Sequence, residues 1–485
     1  MNNSESNFSK KDLNLKAAKA GTFFVVAQLL VRGVTFLITP IYTRLVSTSQ
    51  YSEIRIFESW LLILVPVLSL CMYRSVPRAK HDFKDDYEEY VSSVMTLSFI
   101  TISFGYVVAT VFFKEWLMNF LGTNSLMYVY MIMYTFAHMV TLYFQTYEKQ
   151  MLRSKNNVIL SLITMISATL LSVLFLYLGN RYGLYERLVD LRIIGYYTPQ
   201  IVGGIVLAFI IVRRSKFKVN TRYWKYALVY SIPLIPEVLS IQIMNQSDKI
   251  MIQKMVSKEA AGIFALATTV SFIIWIIEDA VWGAWLPWLY EKIKRDEIAD
   301  IQKPWDYVTG IFGYASWALV VFAPELIYIL GGTKYADAIY LVSPMVTGTL
   351  FRFFSYGFTS VENYQKKTQY CALGTVSAMI VNVILNAIFI KNVGYQAAAY
   401  TTAFSYLFLL VLQGYLEKKV CGMRCISYGK TIAVSVIIWA INLVTILSYD
   451  IAWYWRYGIF VSVSAFVLKK IMPSIMIIVK QIRKG

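Results

Sequence analysis

The sequence predicts an all-α protein that crosses a membrane many times, about fourteen, and three observations predict it. Of its 485 residues 58% are hydrophobic and 15% charged, whereas a soluble domain averages about 45–50% apolar and about 25% charged. Apolar runs of about 20 residues, enough to span a hydrocarbon core as helix, recur along the whole chain. They lack the period-2 alternation of a barrel, the other fold that satisfies every backbone group in lipid.

The first six runs fall at 21–42, 56–72, 91–113, 127–147, 158–178 and 193–212. Six more fall at 227–251, 261–285, 308–330, 339–361, 370–390 and 397–416. Runs at 431–447 and 451–468 complete the fourteen, with Lys469 and Lys470 cutting the last one short. The first 20 residues carry Lys10, Lys11, Lys16 and Lys19 and form a basic tail. No small-residue cleavage site follows the first run, so it reads as a span and not as a removable leader.

A net charge of +18 invites a nucleic-acid reading. The positions argue against it. Most of the 46 Lys and Arg lie in both tails and in alternate loops, the densest being Arg213, Arg214, Lys216, Lys218, Arg222 and Lys225. That is the positive-inside pattern, and it places both termini in the cytoplasm. Among the four cysteines, Cys421 and Cys425 share a basic loop without His81 or His138 near in sequence, so no metal site is expected there. The acidic run Asp82, Asp85, Asp86, Glu88 and Glu89 reads as a solvated face. No phosphate-binding loop, nucleophile elbow or dinucleotide fingerprint is present, so neither a cofactor nor an enzymatic activity is expected.

An internal repeat organises the chain. Arg44-Leu-Val-Ser47 after the first run matches Lys254-Met-Val-Ser257 after the seventh. Gly183-Leu-Tyr185 matches Gly394-Tyr-Gln396, and Lys155 matches Lys366, at nearly the same offset. A six-helix unit repeated in one orientation gives two lobes related by a pseudo-two-fold along the membrane normal. The expected divisions are a tail at 1–20, lobes at 21–215 and 222–420, and two extra helices with a basic tail at 421–485.

Three stretches then carry a family resemblance. They are Gly33-Val-Thr-Phe-Leu-Ile-Thr-Pro40-Ile-Tyr-Thr-Arg44-Leu-Val-Ser47; Ser231-Ile-Pro233-Leu-Ile-Pro236 with Asp248-Lys249 and Gly262-Ile-Phe264-Ala265; and Asn382-Val-Ile-Leu-Asn386 with Gly394 and Ala397-Ala398-Ala399. Together, over about residues 20–415, they resemble Wzx-type polysaccharide flippases of the multidrug/oligosaccharidyl-lipid/polysaccharide exporter superfamily. The family usually has glycine where Ser52 stands and often arginine where Lys249 stands. The resemblance implies two bundles around a central cavity, with alternating access across the bacterial inner membrane. It implies an undecaprenyl-diphosphate-linked oligosaccharide, for O-antigen or capsule, carried from the cytoplasmic to the periplasmic leaflet. Membrane lipids surround such a protein, and the polysaccharide polymerase and chain-length machinery would be its neighbours.

Charges in mid-membrane cost at least about 2.5–3.5 kcal/mol, so they are functional candidates. Arg32, Arg352 and Lys249 are the candidates for binding the diphosphate, against ion pairing or snorkelling as the plain alternative. Arg456 reads as an interfacial anchor. Glu237, Glu278 and Asp279 are the ion-coupling candidates, against simple pairing with those cations. Pro233 and Pro236 remove backbone donors from the seventh run and serve as a kink or a gate. Trp282, Trp285 and Trp288 read as an aromatic belt before a sugar platform, and His138 as a packed, hydrogen-bonded residue. Two rivals stay open. A cation-coupled drug exporter predicts a cavity dominated by acids. A membrane glycosyltransferase or polymerase predicts a large periplasmic loop, which the short loops here oppose.

Overall fold

A computed structural model describes residues 33, 34, 36–151, 153–214, 219–423, 425–450 and 453–482, with the side chains at 154–157, 279, 280, 284, 468 and 470–482 left out. Arg32, most of the expected first span and the side chain of Asp279 therefore lie outside the described residues.

The helices are α1 (Thr48–Leu68), α2 (Val76–Asp82), α3 (Tyr87–Leu121), α4 (Ser125–Gln150), α5 (Ser154–Arg181), α6 (Leu188–Arg214), α7 (Thr221–Ser231) and α8 (Ile235–Met255). The second half adds α9 (Lys258–Lys294), α10 (Gln302–Val321), α11 (Ala323–Gly331), α12 (Ile339–Tyr364), α13 (Thr368–Val393), α14 (Ala397–Leu416), α15 (Tyr428–Ile446) and α16 (Trp453–Ile482). Among the described residues ten helices are long and apolar enough to cross a membrane, or twelve if each of two bent pairs counts once.

Both bends have local causes. After α1 the chain passes through Leu70 and Cys71 in the left-handed region (φ 50° and 51°), and the next helical pair departs at 60°. The expected ninth span breaks at Phe322, where Pro324 opens α11 and the path bends by 58°; a proline, lacking its N–H, is most easily accommodated in a first helical turn. At the far end, α16 continues through Lys469 and Lys470 to Ile482. Lysine is a good helix former, so the pair ends the apolar run without ending the helix.

Helix surfaces are inverted relative to a soluble protein. On α13, Asn382 and Asn386 are fully buried, while Ile380, Ile384 and Ile388, one face at four-residue spacing, are about half exposed. Hydrocarbon outside and polar networks inside produce that arrangement. The most enclosed helix is α12, whose apolar window is 94% buried against 22% for α15. It packs on α9, α10, α14 and α15.

Two points matter for function. First, α1 joins the halves, lying against α4 and α6 on one side and α8 and α9 on the other. Gly262 permits this approach: a Cβ there would stand 2.2 Å from the Thr48 carbonyl oxygen. Around the same end Lys258 pairs with Glu53 at 2.7 Å, Lys334 donates to the Val46 carbonyl at 2.8 Å, and Thr43 donates to the Leu330 carbonyl.

Second, the expected seventh span is divided. Ile232–Leu234, containing Pro233, forms a 3-10 turn, and Pro236 sits in the first turn of α8. The stretch before the turn, α7, packs with the first half: Tyr223 and Ala227 are buried with Met72 and Tyr90, and Trp224 Nε1 donates to the Ser93 carbonyl at 2.9 Å. The stretch after it, α8, packs with α13, α1 and α9. The repeat noted in the sequence has matching local structure. Ser47 and Ser257 both cap a helix by accepting from the backbone N–H three residues on, and Gly183 and Gly394 both adopt positive φ.

Candidate substrate cavity

A cavity of about 230 Å³ lies between α1, α4, α6 and the segment before α1, and a larger, more open one of about 700 Å³ lies beside Lys80, Asp86 and Arg214. Ser47 and Gln50 form a reciprocal capping box, which fixes the start of α1 at Thr48. Arg55 and Glu58 then lie two to three turns inside the helix. Arg192 enters from the first turns of α6.

Both guanidiniums share one carboxylate. Arg55 Nη1 donates to Glu58 Oε2 at 2.6 Å and Arg192 Nη2 to Glu58 Oε1 at 3.2 Å. The Arg192 guanidinium lies 4.0 Å from the Tyr196 ring centre and 4.8 Å from that of Tyr42. With Arg192 only 4% exposed, its Nε and Nη1, together with Arg55 Nε, are buried donors that meet no acceptor. Two cations, one anion and three unused N–H groups make an anion site, since the guanidinium fork matches phosphate and carboxylate oxygens. Tyr51, Tyr134, Tyr197 and His138 complete the wall. His138 stacks on Tyr134 and bonds to its hydroxyl at 3.3 Å.

The residues singled out from sequence fall around this cavity in different ways. Lys249 is buried beside it and donates to Gln246 Oε1 at 2.6 Å; Ser59 of α1 donates to the same oxygen at 2.9 Å. Lys249 is within electrostatic reach of Arg55 and Glu58 but does not line the cavity. Arg352 lies in the second half, 2.5 Å from Glu278, with its guanidinium 3.6 Å from the Trp275 ring centre and Nη1 3.3 Å from the Tyr356 hydroxyl. One cation and one ion-coupling candidate are thus brought together as a buried pair. Glu237, partly buried at the start of α8, is within electrostatic reach of Arg74. Arg456 pairs with Glu325. Trp285 is buried and packs on Trp305 and Trp288 at 5.4 and 4.9 Å, so this tryptophan serves the core and not a lipid-facing belt.

Sequence reading missed Arg55 and Arg192 because apolar-run boundaries left each one residue outside a span. The capping pattern Ser47-Thr-Ser-Gln50 was the available signal for Arg55. Asp248, named in the sequence only as a motif residue beside Lys249, is buried and accepts from Asn386 Nδ2 at 2.6 Å and from Thr402 Oγ1 at 2.8 Å. Asn382 extends that network to Thr402 at 2.9 Å, and Thr401 donates to Asn386.

A bundle of apolar helices enclosing a cationic cavity and buried polar networks defines a polytopic membrane transporter. The comparisons place it more closely. Residues 17–292 match the model of the polysaccharide biosynthesis protein family, and the chain belongs to that family. Protein 1 of the Lsg locus of Haemophilus influenzae is 21% identical over 343 residues, 68% of this chain and 81% of that protein. Among solved structures, the fold is similar to the lipid II flippase MurJ in an inward closed conformation (TM-score 0.65, 13% identity, 93% of this chain and 99% of that one). It is also similar to an outward-facing multidrug resistance transporter of the MATE family (TM-score 0.55, 12% identity, 84% and 97%).

Proposed function

We infer that this protein is a Wzx-type flippase, which moves a lipid-linked oligosaccharide across the bacterial inner membrane. In this reading the chain, a member of the polysaccharide biosynthesis protein family, is a transporter and not an enzyme. The observation that carries the substrate reading is the Arg55–Glu58–Arg192 cluster, a partly buried cationic site with unused donors. A drug exporter for cations would be served by the opposite charge balance.

In finer terms, the cargo is an undecaprenyl-diphosphate-linked repeat unit for O-antigen or capsule, passed from cytoplasmic to periplasmic leaflet. The chain forms two six-helix lobes, 21–215 and 222–420, about a pseudo-two-fold, followed by two further helices, with both termini cytoplasmic. The diphosphate engages Arg55 and Arg192, with Arg32, Lys249 and Arg352 supplying positive charge along the path. Glu237 and Asp279 are the ion-coupling candidates, with Glu278 joining them when Arg352 releases it, and the Pro233–Pro236 turn bends as the lobes rock. An inside-negative potential of about 100 mV would release roughly 4.6 kcal/mol as two negative charges move outward.

The test is genetic and biochemical. Deleting the gene should remove surface polymer and leave lipid-linked repeat units in the inner leaflet, with wild-type chain restoring both. Persistent surface polymer in a strain without a substitute flippase refutes the reading. Arg55→Ala and Arg192→Ala should fail to complement while reaching the membrane at normal levels.

A further inference from the structure

At the opposite end of the second half from Ser257, three helix ends enclose acids that no cation among the described residues meets. Glu362 lies in the last turn of α12 and is fully buried; Glu417, 2% exposed, begins a single π-helical turn, Glu417–Cys421, that closes α14. Gln413, one turn earlier on α14, is also fully buried, and donates to the Cys371 carbonyl at 3.2 Å. The Cys371 thiol donates to Glu362 Oε2 at 3.0 Å.

Glu362 Oε1, Glu417 Oε1 and Gln413 Oε1 are buried oxygens without a donor. The other groups near them do not supply one. Lys367 donates to the Val420 carbonyl at 2.5 Å, Lys419 lies over the Tyr415 ring, and Lys366 and Lys418 are exposed. Among the described residues, Cys421, Cys425 and, through Cys371, Glu237 and Tyr290 are the remaining titratable groups acting on the cluster, and none is a cation. The turn carrying Glu417 packs against α12, which carries Glu362, so the two carboxylates act on each other, and like charges at close quarters do not both ionise in a dry site. No three acids, thiols or imidazoles among the described residues are placed to hold a metal ion. A carboxyl that gains a proton becomes an O–H donor, which satisfies one of these oxygens directly. π-Turns of this kind recur at functional sites.

We propose that Glu362 and Glu417 form a proton-binding carboxyl pair that couples the rate of transport to the pH on one face of the membrane. The proton is taken from and returned to water on the face bearing Lys366, Lys367, Lys418 and Lys419, converting one carboxylate to the acid and back. Deprotonation places two negative charges between the ends of α12, α13 and α14 and loosens them. The coupling role rests on the transport reading above; the protonation does not.

Infrared spectroscopy of the purified full chain at neutral pH tests the protonation without substrate. A carboxylic-acid C=O band should be present, weaker in Glu362→Gln and in Glu417→Gln, and lost in the double variant. Cys371→Ala, which keeps both acids and removes the thiol donor, should shift the band without abolishing it. Absence of the band in wild type, or a band indifferent to all these substitutions, overturns the proposal. In proteoliposomes, a pH gradient should change wild-type flipping of a lipid-linked oligosaccharide severalfold and leave the double variant unresponsive; a double variant that still responds overturns the coupling role. A wild type that carries the band but flips nothing under any gradient overturns the transport reading and the coupling with it.

Discussion

Removing Arg192 should cost substrate binding far more than it costs the fold. The guanidinium gives one bond to Glu58 and holds Nε and Nη1 unused. In Arg192→Ala, Glu58 keeps its 2.6 Å bond to Arg55, so no buried charge is stranded and the expected loss of stability is about 1–2 kcal/mol. A bound diphosphate would lose two charge-assisted hydrogen bonds, about 3 kcal/mol, or roughly a hundredfold in affinity. Arg192→Lys retains charge without the fork and should lose about tenfold. Glu58→Ala should behave in reverse, because the buried Arg192 and the partly buried Arg55 then lack their shared anion; up to about 3–5 kcal/mol of stability is at stake. The assays are binding of undecaprenyl diphosphate in detergent and thermal melting of the same preparations. Two results refute the reasoning: an affinity change below about threefold in Arg192→Ala, or equal destabilisation by Arg192→Ala and Glu58→Ala.

Other sites give sharper structural tests. Gly262→Val should lower the melting temperature through overpacking of α9 on the Thr48 carbonyl, by about 1–3 kcal/mol. Gly283→Ala, where nothing lies within 4 Å of the added carbon, should raise it through helix propensity by up to about 1 kcal/mol. Asn386→Leu deprives Asp248 of a donor and should destabilise by about 1–3 kcal/mol, whereas the double change Asp248→Leu/Asn386→Leu should be milder by denaturant melting. Burial, aided by Glu417, pushes the Cys425 thiol from 9.0 up to about 11. A raised value means less thiolate below it, about a hundredfold less at pH 8. Maleimide labelling of folded Cys425 should therefore be slow there and accelerate on unfolding.

The helical membrane class was legible because hydrophobic run length responds to a single physical constraint, the thickness of hydrocarbon. The helix caps at Ser47 and Ser257 and the turns at Gly183 and Gly394 were legible because capping and positive φ are local requirements. Hydropathy does not register where a helix begins, only where it turns apolar. Hence α1 was placed eight residues late and Arg55 was assigned to a loop, and Arg192 was lost in the same way. Charge partners join residues far apart in the chain, as Arg352 joins Glu278 across 74 positions, and no periodicity announces them. Burial of Glu362 and Glu417 escaped detection for a related reason. Both stand beside lysines at the ends of apolar runs, where the sequence looks solvated.

The seating of α7 with the first half bears on how the polypeptide could be bisected. A cut in the loop 215–220, the natural place by charge and hydropathy, would deprive the first fragment of Tyr223, Ala227 and the indole bond of Trp224. A cut within Ile232–Leu234 would leave that fragment with its own closing helix and the second with Pro236 as an initiating residue. Co-expressed pieces divided at the turn should therefore reassemble better than pieces divided at the loop.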